Sequence, residues 1–175
     1  AKVEVPVDEV IALDVLGVGE EHSGLVALLA VLGSAAMAVL LAIVQFQGAP
    51  FPGHFSVDQP TMTAKAVVLA LALPLIQLSR AEFGRDERFY ILLLSSLYGV
   101  LLVNSSDGFL TMFLGLEIMS MPVYALVLIA YKRHEAAEAA LKYLVLGGAA
   151  TAMFLMGASL VYGSTGSLAL DAFVK

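Results

Sequence analysis

Three ionisable side chains lie inside long apolar stretches of the sequence: Lys65, Glu117 and Lys142. Glu117 is the most isolated, since the run from Gly108 to Tyr131 contains no other charged residue. An ionised side chain at the centre of a membrane-spanning helix costs about 2.5–3.5 kcal/mol on insertion scales. Such a carboxylate must be protonated, paired or in contact with water inside a helix bundle, so Glu117 is a candidate for proton or ion transfer.

Pro122 follows Glu117 by five residues in the same apolar run. A proline inside a helix cannot donate a hydrogen bond to the carbonyl four residues earlier, here that of Ile118. We therefore predict a free acceptor and a kink beside Glu117, where water could enter. The alternative is that Pro122 is merely tolerated and that Glu117 is a hydrogen-bonding residue of the packing.

The two lysines are less specific signals. Lys142 lies about one turn into its apolar stretch and four residues after Glu138, so an ion pair along the helix is available. A lysine so near a helix end can also extend its ammonium group to the headgroups, and this interpretation is favoured for Lys65. If Lys142 is instead buried near Glu117 on an adjacent helix, the two groups suggest a proton or ion route.

Membrane-spanning helices are the elements that must position these residues. Of 175 residues, 60% are hydrophobic and 14% are charged, and the mean hydropathy is +0.92. A spanning helix needs about 20 predominantly apolar residues. The predicted spans are 24–46, 61–79, 89–103, 109–131 and 139–163. Because open sheets cannot cross a bilayer, the predicted fold class is all-α, a multi-span transmembrane helix bundle of about five helices.

The segments outside the spans complete this organisation. Residues 1–23 are an acidic N-terminal segment, residues 24–175 are the predicted bundle, and residues 47–60, rich in Gly and Pro, are predicted to be a loop. The basic residues of two connections are Arg80, Arg85 and Arg88, then Lys132 and Arg133. With five spans these two connections lie on one side, which the positive-inside rule assigns to the cytoplasm.

Composition also excludes several classes of function. A net charge of −6 without a Lys/Arg cluster argues against nucleic-acid binding. The absence of cysteine excludes disulfides, thiolate metal sites and cysteine nucleophiles. His22, His54 and His134 lie in predicted connections without metal-ligand spacing, and no phosphate-loop, haem or iron–sulfur motif is present. We therefore expect no cofactor and no metal ion in this chain.

Several motifs in sequence order resemble a known family. The stretches FYILLLSSLYGVLLVNSSDGFLTMFLGLE, FLGLEIMSMPVYALV and EAALKYLVLGGAATAMFLMGASLVYGSTGSL resemble the antiporter-like subunit N of bacterial NADH:quinone oxidoreductase, respiratory complex I. The resemblance runs from Phe89 to Leu168, extends less specifically to residues 55–80, and does not include the region before Ser23. Because the family has a much longer chain with more helices, the sequence is similar to its N-terminal part only.

The resemblance implies roles for two of the charged residues. In the family, the glutamate of the GLE motif, here Glu117, pairs with a lysine on a later broken helix, which would lie beyond Lys175. The lysine of the ALKY motif, here Lys142, lies on the proton path. NAD, FMN, iron–sulfur clusters and quinone are implied in partner subunits. Other membrane subunits, including antiporter-like paralogues, and the bilayer of the bacterial inner membrane are the implied surroundings.

We therefore expect a proton-translocating subunit of an NADH:quinone oxidoreductase, in which Glu117 and Lys142 relay protons and Pro122 and Lys65 support them. Two alternatives stay open. One is a subunit of a related Na⁺/H⁺ antiporter complex or membrane-bound hydrogenase, with H⁺ or Na⁺ as the ion. The other is a transmembrane scaffold that does not pump.

Overall fold

Five long helices make up most of the chain in a computed structural model that describes residues 23–44, 48–83, 86–130 and 134–173. The helices are α1 (Ser23–Val44), α2 (Gln59–Phe83), α3 (Glu87–Ser105), α4 (Phe109–Ala130) and α5 (His134–Thr165). A short 3₁₀ helix, Leu170–Phe173, follows α5. Each of the five is long and apolar enough to cross a membrane, so the predicted fold class is confirmed.

Polar residues define several helix ends. The Asp58 carboxylate accepts a hydrogen bond from the Thr61 backbone N–H at 3.2 Å in the first turn of α2. Asp86 does the same for Arg88 at 3.1 Å at the start of α3. These side chains satisfy first-turn N–H groups that have no partner within their own helix. At the C-terminal end of α5, Gly166 adopts a positive φ of 70° and its N–H donates a hydrogen bond to the Tyr162 carbonyl. This is a common way for a helix to end.

Consecutive helices pack against each other, and the core lies among the first three. α1 packs along α2, α3 along α4, and α5 along α4. The most buried apolar side chains of the first three helices include Val31, Leu69, Ile76 and Tyr90. In contrast, only 6% of the spans in α4 and α5 is buried within the chain. Their apolar surfaces are therefore left for lipid or for other protein segments.

Residues 48–57 form a β-hairpin, so the prediction of a plain loop at residues 47–60 was incomplete. Strands β1 (Gly48–Phe51) and β2 (Phe55–Val57) pair antiparallel. Gly48 lies opposite Val57 and Phe51 lies opposite Phe55, and the register is irregular between these two pairs. Gly53 turns the chain with a φ of 78°. Of the Gly and Pro residues that suggested a loop, Gly48 and Pro50 lie in β1, Pro52 and Gly53 lie in the turn, and Pro60 lies in the first turn of α2.

Backbone hydrogen bonds join the hairpin to the α3–α4 connection, and that connection to the segment after α5. The His54 carbonyl accepts a hydrogen bond from the Asp107 N–H at 2.9 Å, and the Asp107 carbonyl accepts one from the Leu170 N–H at 3.1 Å. The Phe109 N–H donates to the Leu168 carbonyl at 2.8 Å. The hairpin, the α3–α4 connection and the segment after α5 therefore meet at one end of the bundle, which we call the hairpin end.

The arginines that the structure describes lie at the opposite end, which we call the basic end. Arg80 is in the last turn of α2 and Arg88 in the first turn of α3. Because α4 and α5 run antiparallel, their connection also returns to this basic end. The predictions that concern residues 1–22, Arg85, Lys132 and Arg133 lie outside the described residues. The assignment of the basic end to the cytoplasm stays a prediction.

Candidate functional site

Glu117 lies on an uncovered stripe of α4. Its side chain is half-buried and, among the described residues, makes no hydrogen bond or ion pair. At helical spacing it shares its side of α4 with four exposed apolar residues: Leu110, Leu114, Met121 and Leu128. The start of α4 is eight residues away, about 12 Å at 1.5 Å per residue. The carboxylate is thus deep in the membrane-spanning segment, among apolar side chains of α4 that the described chain leaves exposed.

Pro122 lies within α4, which continues as a helix to Ala130. The Ile118 carbonyl therefore has no N–H partner at residue 122, because the proline nitrogen carries no hydrogen. One residue further on, the Met119 carbonyl accepts a hydrogen bond from the Ser96 hydroxyl of α3 at 3.0 Å. The missing backbone hydrogen bond at Ile118 thus lies next to the hydrogen bond that Ser96 of α3 donates to α4.

Lys142 does not approach Glu117 in the described chain. Its ammonium group lies 2.5 Å from the Glu138 carboxylate one turn earlier, and the two side chains are 70% and 65% exposed. The predicted pair along the helix therefore forms. Ala140, two residues before Lys142, belongs to the more buried stripe of α5, so Lys142 projects from about the opposite side of that helix.

An aromatic contact shows how far apart the two groups are along the bundle. Tyr124 of α4 packs edge-to-face against Tyr143 of α5, with ring centroids 5.1 Å apart. Tyr143 adjoins Lys142, whereas Tyr124 is seven residues from Glu117. Glu117 and Lys142 are therefore separated by about 12 Å along the helix axes. Glu117 lies toward the hairpin end and Lys142 toward the basic end.

Sequence reasoning did not identify Tyr124 as part of this region. Its ring and hydroxyl lie directly against Gly147, at a place that a Cβ atom would fill. Gly147 is one of several small residues of α5, which allow a neighbouring helix to approach closely. A tyrosine seven residues after Glu117, hence on the same side of α4, was the signal available in the sequence.

Lys65 belongs to a different part of the bundle. It is half-buried and continues the buried stripe of α2 formed by Met62, Leu69, Ala72 and Ile76. That stripe packs in the core of the first three helices. The extension of the Lys65 ammonium group to the headgroups stays a prediction. Among the described residues Lys65 has no ion pair, and it lies about 9 Å from the start of α2.

The structure thus places four predicted residues in three settings. Glu117 and Pro122 share α4. Lys142 lies on the side of α5 that faces away from α4, and Lys65 lies on the core-facing side of α2. In the described part of the chain, no three His, Asp or Glu side chains come together as a metal site. The described chain thus holds these ionisable groups apart from one another, at different depths along the spanning helices.

Comparisons with known proteins identify the same family as the motifs. Residues 106–175 match the family described as "NADH:quinone oxidoreductase/Mrp antiporter, TM". NADH-quinone oxidoreductase subunit N of Acinetobacter baumannii is 36% identical over 91% of this chain and 33% of its own length. NADH-quinone oxidoreductase subunit 14 of Thermus thermophilus is 43% identical over 71% of this chain and 28% of its own length.

Solved structures agree at the level of the fold. A chain of respiratory complex I from Thermus thermophilus with bound aureothin superposes with a TM-score of 0.77 and 34% identity, covering 91% of this chain and 36% of that one. A chain of an archaeal membrane-bound sulfane sulfur reductase gives a TM-score of 0.66 at 22% identity, over 88% of this chain and 28% of that one, a likeness of fold alone. The predicted resemblance to the antiporter-like subunit N is confirmed, and the chain spans about a third of the length of such relatives.

Proposed function

We propose that this chain, which resembles part of the antiporter-like subunit N of NADH:quinone oxidoreductase, contributes to proton translocation in the membrane arm of such an enzyme. The observation that supports this most is the position of Glu117. An acidic side chain lies deep in a membrane-spanning helix, half-buried and without a charge partner among the described residues. Intramembrane carboxylates of this kind are expensive, and they mark proton and ion pathways.

The chemistry follows from how a low-dielectric environment acts on a carboxylate. Removal from water favours the neutral form, and a nearby cation favours the ionised form. A lysine approaching the uncovered stripe from another segment or subunit would therefore stabilise the ionised form of Glu117. The charged Glu117 would in turn raise the proton affinity of that lysine, so a change in their separation moves a proton on or off the lysine.

The lysines of this chain take different positions in the proposed route. Lys142, toward the basic end and in contact with Glu138, would exchange protons with the path from that side. Lys65, half-buried on the core-facing side of α2, would support the route nearer the hairpin end. Pro122 leaves the Ile118 carbonyl free as a hydrogen-bond acceptor for water beside Glu117.

In this proposal the chain acts as one subunit of a larger enzyme. NAD, FMN, iron–sulfur clusters and quinone belong to partner subunits, and the energy of quinone reduction reaches this subunit through the membrane arm. Its neighbours are other membrane subunits, including antiporter-like paralogues, within the bacterial inner membrane. The uncovered apolar faces of α4 and α5 support the presence of such neighbours.

The test is the number of protons translocated per NADH oxidised by the assembled complex carrying Glu117→Gln in the complete subunit. We expect a lower ratio with normal assembly and substantial NADH oxidation, because glutamine keeps the shape of the side chain but cannot titrate. Lys142→Ala should lower the ratio as well, whereas Lys142→Arg, which keeps the charge, serves as its control. An unchanged ratio in assembled Glu117→Gln complex contradicts the proposed role.

A second candidate has support from the family description, which also names the Mrp antiporter. In that case the chain would serve an Na⁺/H⁺ antiporter complex. Transport in proteoliposomes with and without an Na⁺ gradient separates this candidate from the first. A scaffold that does not pump predicts that Glu117→Gln leaves translocation intact in every assembly.

A further inference from the structure

Helix α3 contacts the backbone of α4 at Ile118 and Met119, which follow Glu117 in the sequence. Gly99 is buried there, and a Cβ atom at this position would meet the Met119 backbone nitrogen, lie 2.7 Å from the Met119 Cα and lie 2.8 Å from the Ile118 carbonyl carbon. These are backbone atoms of α4, which cannot rotate away as a side chain would. Residue 99 must therefore be glycine for the two helices to lie this close.

Ser96 adds a polar bond to the same contact. It lies one turn before Gly99, and its hydroxyl donates to the Met119 carbonyl at 3.0 Å. This carbonyl immediately follows that of Ile118, which Pro122 leaves without its helical donor. In membranes, serine side chains of neighbouring helices compensate backbone groups near such breaks. Ser96 thus bonds to α4 one residue after the interruption in the backbone hydrogen bonds of α4.

Glu117 lies on the far side of α4 from this contact. It is two residues before Met119, so the two positions are about 160° apart around the helix. α3 therefore touches α4 from behind, while the carboxylate faces the uncovered stripe. Any increase in the distance between α3 and α4, or any rotation of α4, moves the Glu117 carboxylate relative to whatever stands opposite it.

We propose that Ser96 and Gly99 are positioning residues for the Glu117 carboxylate. Gly99 sets the distance between the two helices, and Ser96 fixes the rotation of α4 at the proline break. This inference rests on the proposed function, because it assigns to α3 the task of holding the titrating group at a defined distance from its charge partner. Neither residue touches the carboxylate itself.

The first test compares Gly99→Ala with Gly148→Ala in the complete, assembled complex. Both changes add one methyl group to a glycine in a spanning helix, but a Cβ at position 148 meets no atom within 4 Å. Because misplacing a reacting group by about an ångström is costly, we expect Gly99→Ala to lower the protons translocated per NADH about threefold. Gly148→Ala should leave that ratio unchanged.

The second test uses Ser96 and applies even if the complex with Gly99→Ala does not assemble. Ser96→Ala removes a hydroxyl without adding atoms, and Ser96→Thr restores one. Ser95→Ala is the matched control, because the Ser95 hydroxyl bonds only within its own helix, to the Ile91 carbonyl at 2.8 Å. Since a hydrogen bond contributes modestly, we expect Ser96→Ala to lower the ratio about twofold, Ser96→Thr to recover it and Ser95→Ala to preserve it.

The outcomes separate this inference from the proposed function. If Glu117→Gln lowers the ratio but assembled Ser96→Ala and Gly99→Ala complexes keep the wild-type value, the positioning role is wrong and the proposed function stands. If Glu117→Gln itself has no effect, both are wrong. A merely structural role for Ser96 would reduce the amount of complex, with pumping and oxidation falling together and no change in their ratio.

Discussion

The two sides of α4 are built differently. Toward α3, backbone lies against backbone at Gly99, and a hydroxyl from Ser96 bonds to the α4 chain. Toward α5, the contact consists of aromatic side chains, with the Tyr124 ring against Gly147 and Tyr143. Side chains have rotameric freedom that backbone lacks. α4 is therefore held rigidly on the side of α3 and more adjustably on the side of α5. Glu117 lies toward the second side, where neighbouring apolar side chains of α4 stay exposed.

The largest loss of stability is expected from a substitution in the contact between α3 and α4. Gly99→Ala should destabilise the protein by about 1–3 kcal/mol, the usual cost of overpacking. Adding Met119→Ala should not restore stability, because the atoms that the new methyl group meets are backbone atoms. Thermal unfolding midpoints of the detergent-purified complexes measure both effects. Full recovery in the double variant would show that side-chain crowding, and not backbone proximity, defines this contact.

A smaller effect is expected on the adjustable side. Gly147→Ala places a methyl group where the Tyr124 hydroxyl lies, and should cost about 1 kcal/mol because the tyrosine can shift. Tyr124→Phe removes the nearest atom and should recover part of that loss. The same thermal midpoints apply. If Tyr124→Phe fails to improve Gly147→Ala, the α5 contact is as rigid as the α3 contact and the contrast between the two sides disappears.

The hairpin end provides a further test of how α4 is anchored. The buried Thr111 hydroxyl lies 3.0 Å from the His54 carbonyl of the hairpin turn and 2.9 Å from the Gly108 carbonyl. Thr111→Val keeps the shape but removes the donor, so a loss of about 1 kcal/mol is expected. Thr63→Val is the control, because that exposed hydroxyl bonds only to the Gln59 carbonyl of its own helix. Equal losses in the two variants would mean that Thr111 does not anchor the hairpin.

The smallest effect concerns the exposed pair on α5. Glu138→Gln should reduce stability by only about 0.3–0.5 kcal/mol, since ion pairs one turn apart on an exposed helix face contribute little. The loss should vanish at high salt. A salt-independent loss several times larger would show that Lys142 and Glu138 are covered in the assembled complex, so that both faces of α5 are packed.

Much of the architecture could be predicted because membranes impose simple requirements. Five apolar runs of roughly spanning length became five helices, and the cost of an ionised group in lipid identified Glu117 without any structural information. The pair between Lys142 and Glu138 followed from four-residue spacing alone. These features depend on local sequence and on bilayer thickness.

Tertiary features were less accessible. The bond between Ser96 and Met119 joins residues 23 positions apart, and the contact between Thr111 and His54 spans 57 positions. Both depend on how helices are rotated and paired, which periodicity does not fix in helices that are apolar on every side. For the same reason the inward position of Lys65 and the outward position of Lys142 could not be assigned from their depths in the sequence.

The central claim is that the Glu117 carboxylate, on the uncovered side of α4, must titrate for protons to be translocated. The most direct measurement is the ratio of protons translocated to NADH oxidised in proteoliposomes, for Glu117→Gln beside Met121→Gln. Both variants present an amide on the same stripe, but only the first removes a carboxylate. The account predicts a clearly lowered ratio for Glu117→Gln and a wild-type ratio for Met121→Gln. Equal ratios in the two assembled complexes would contradict it.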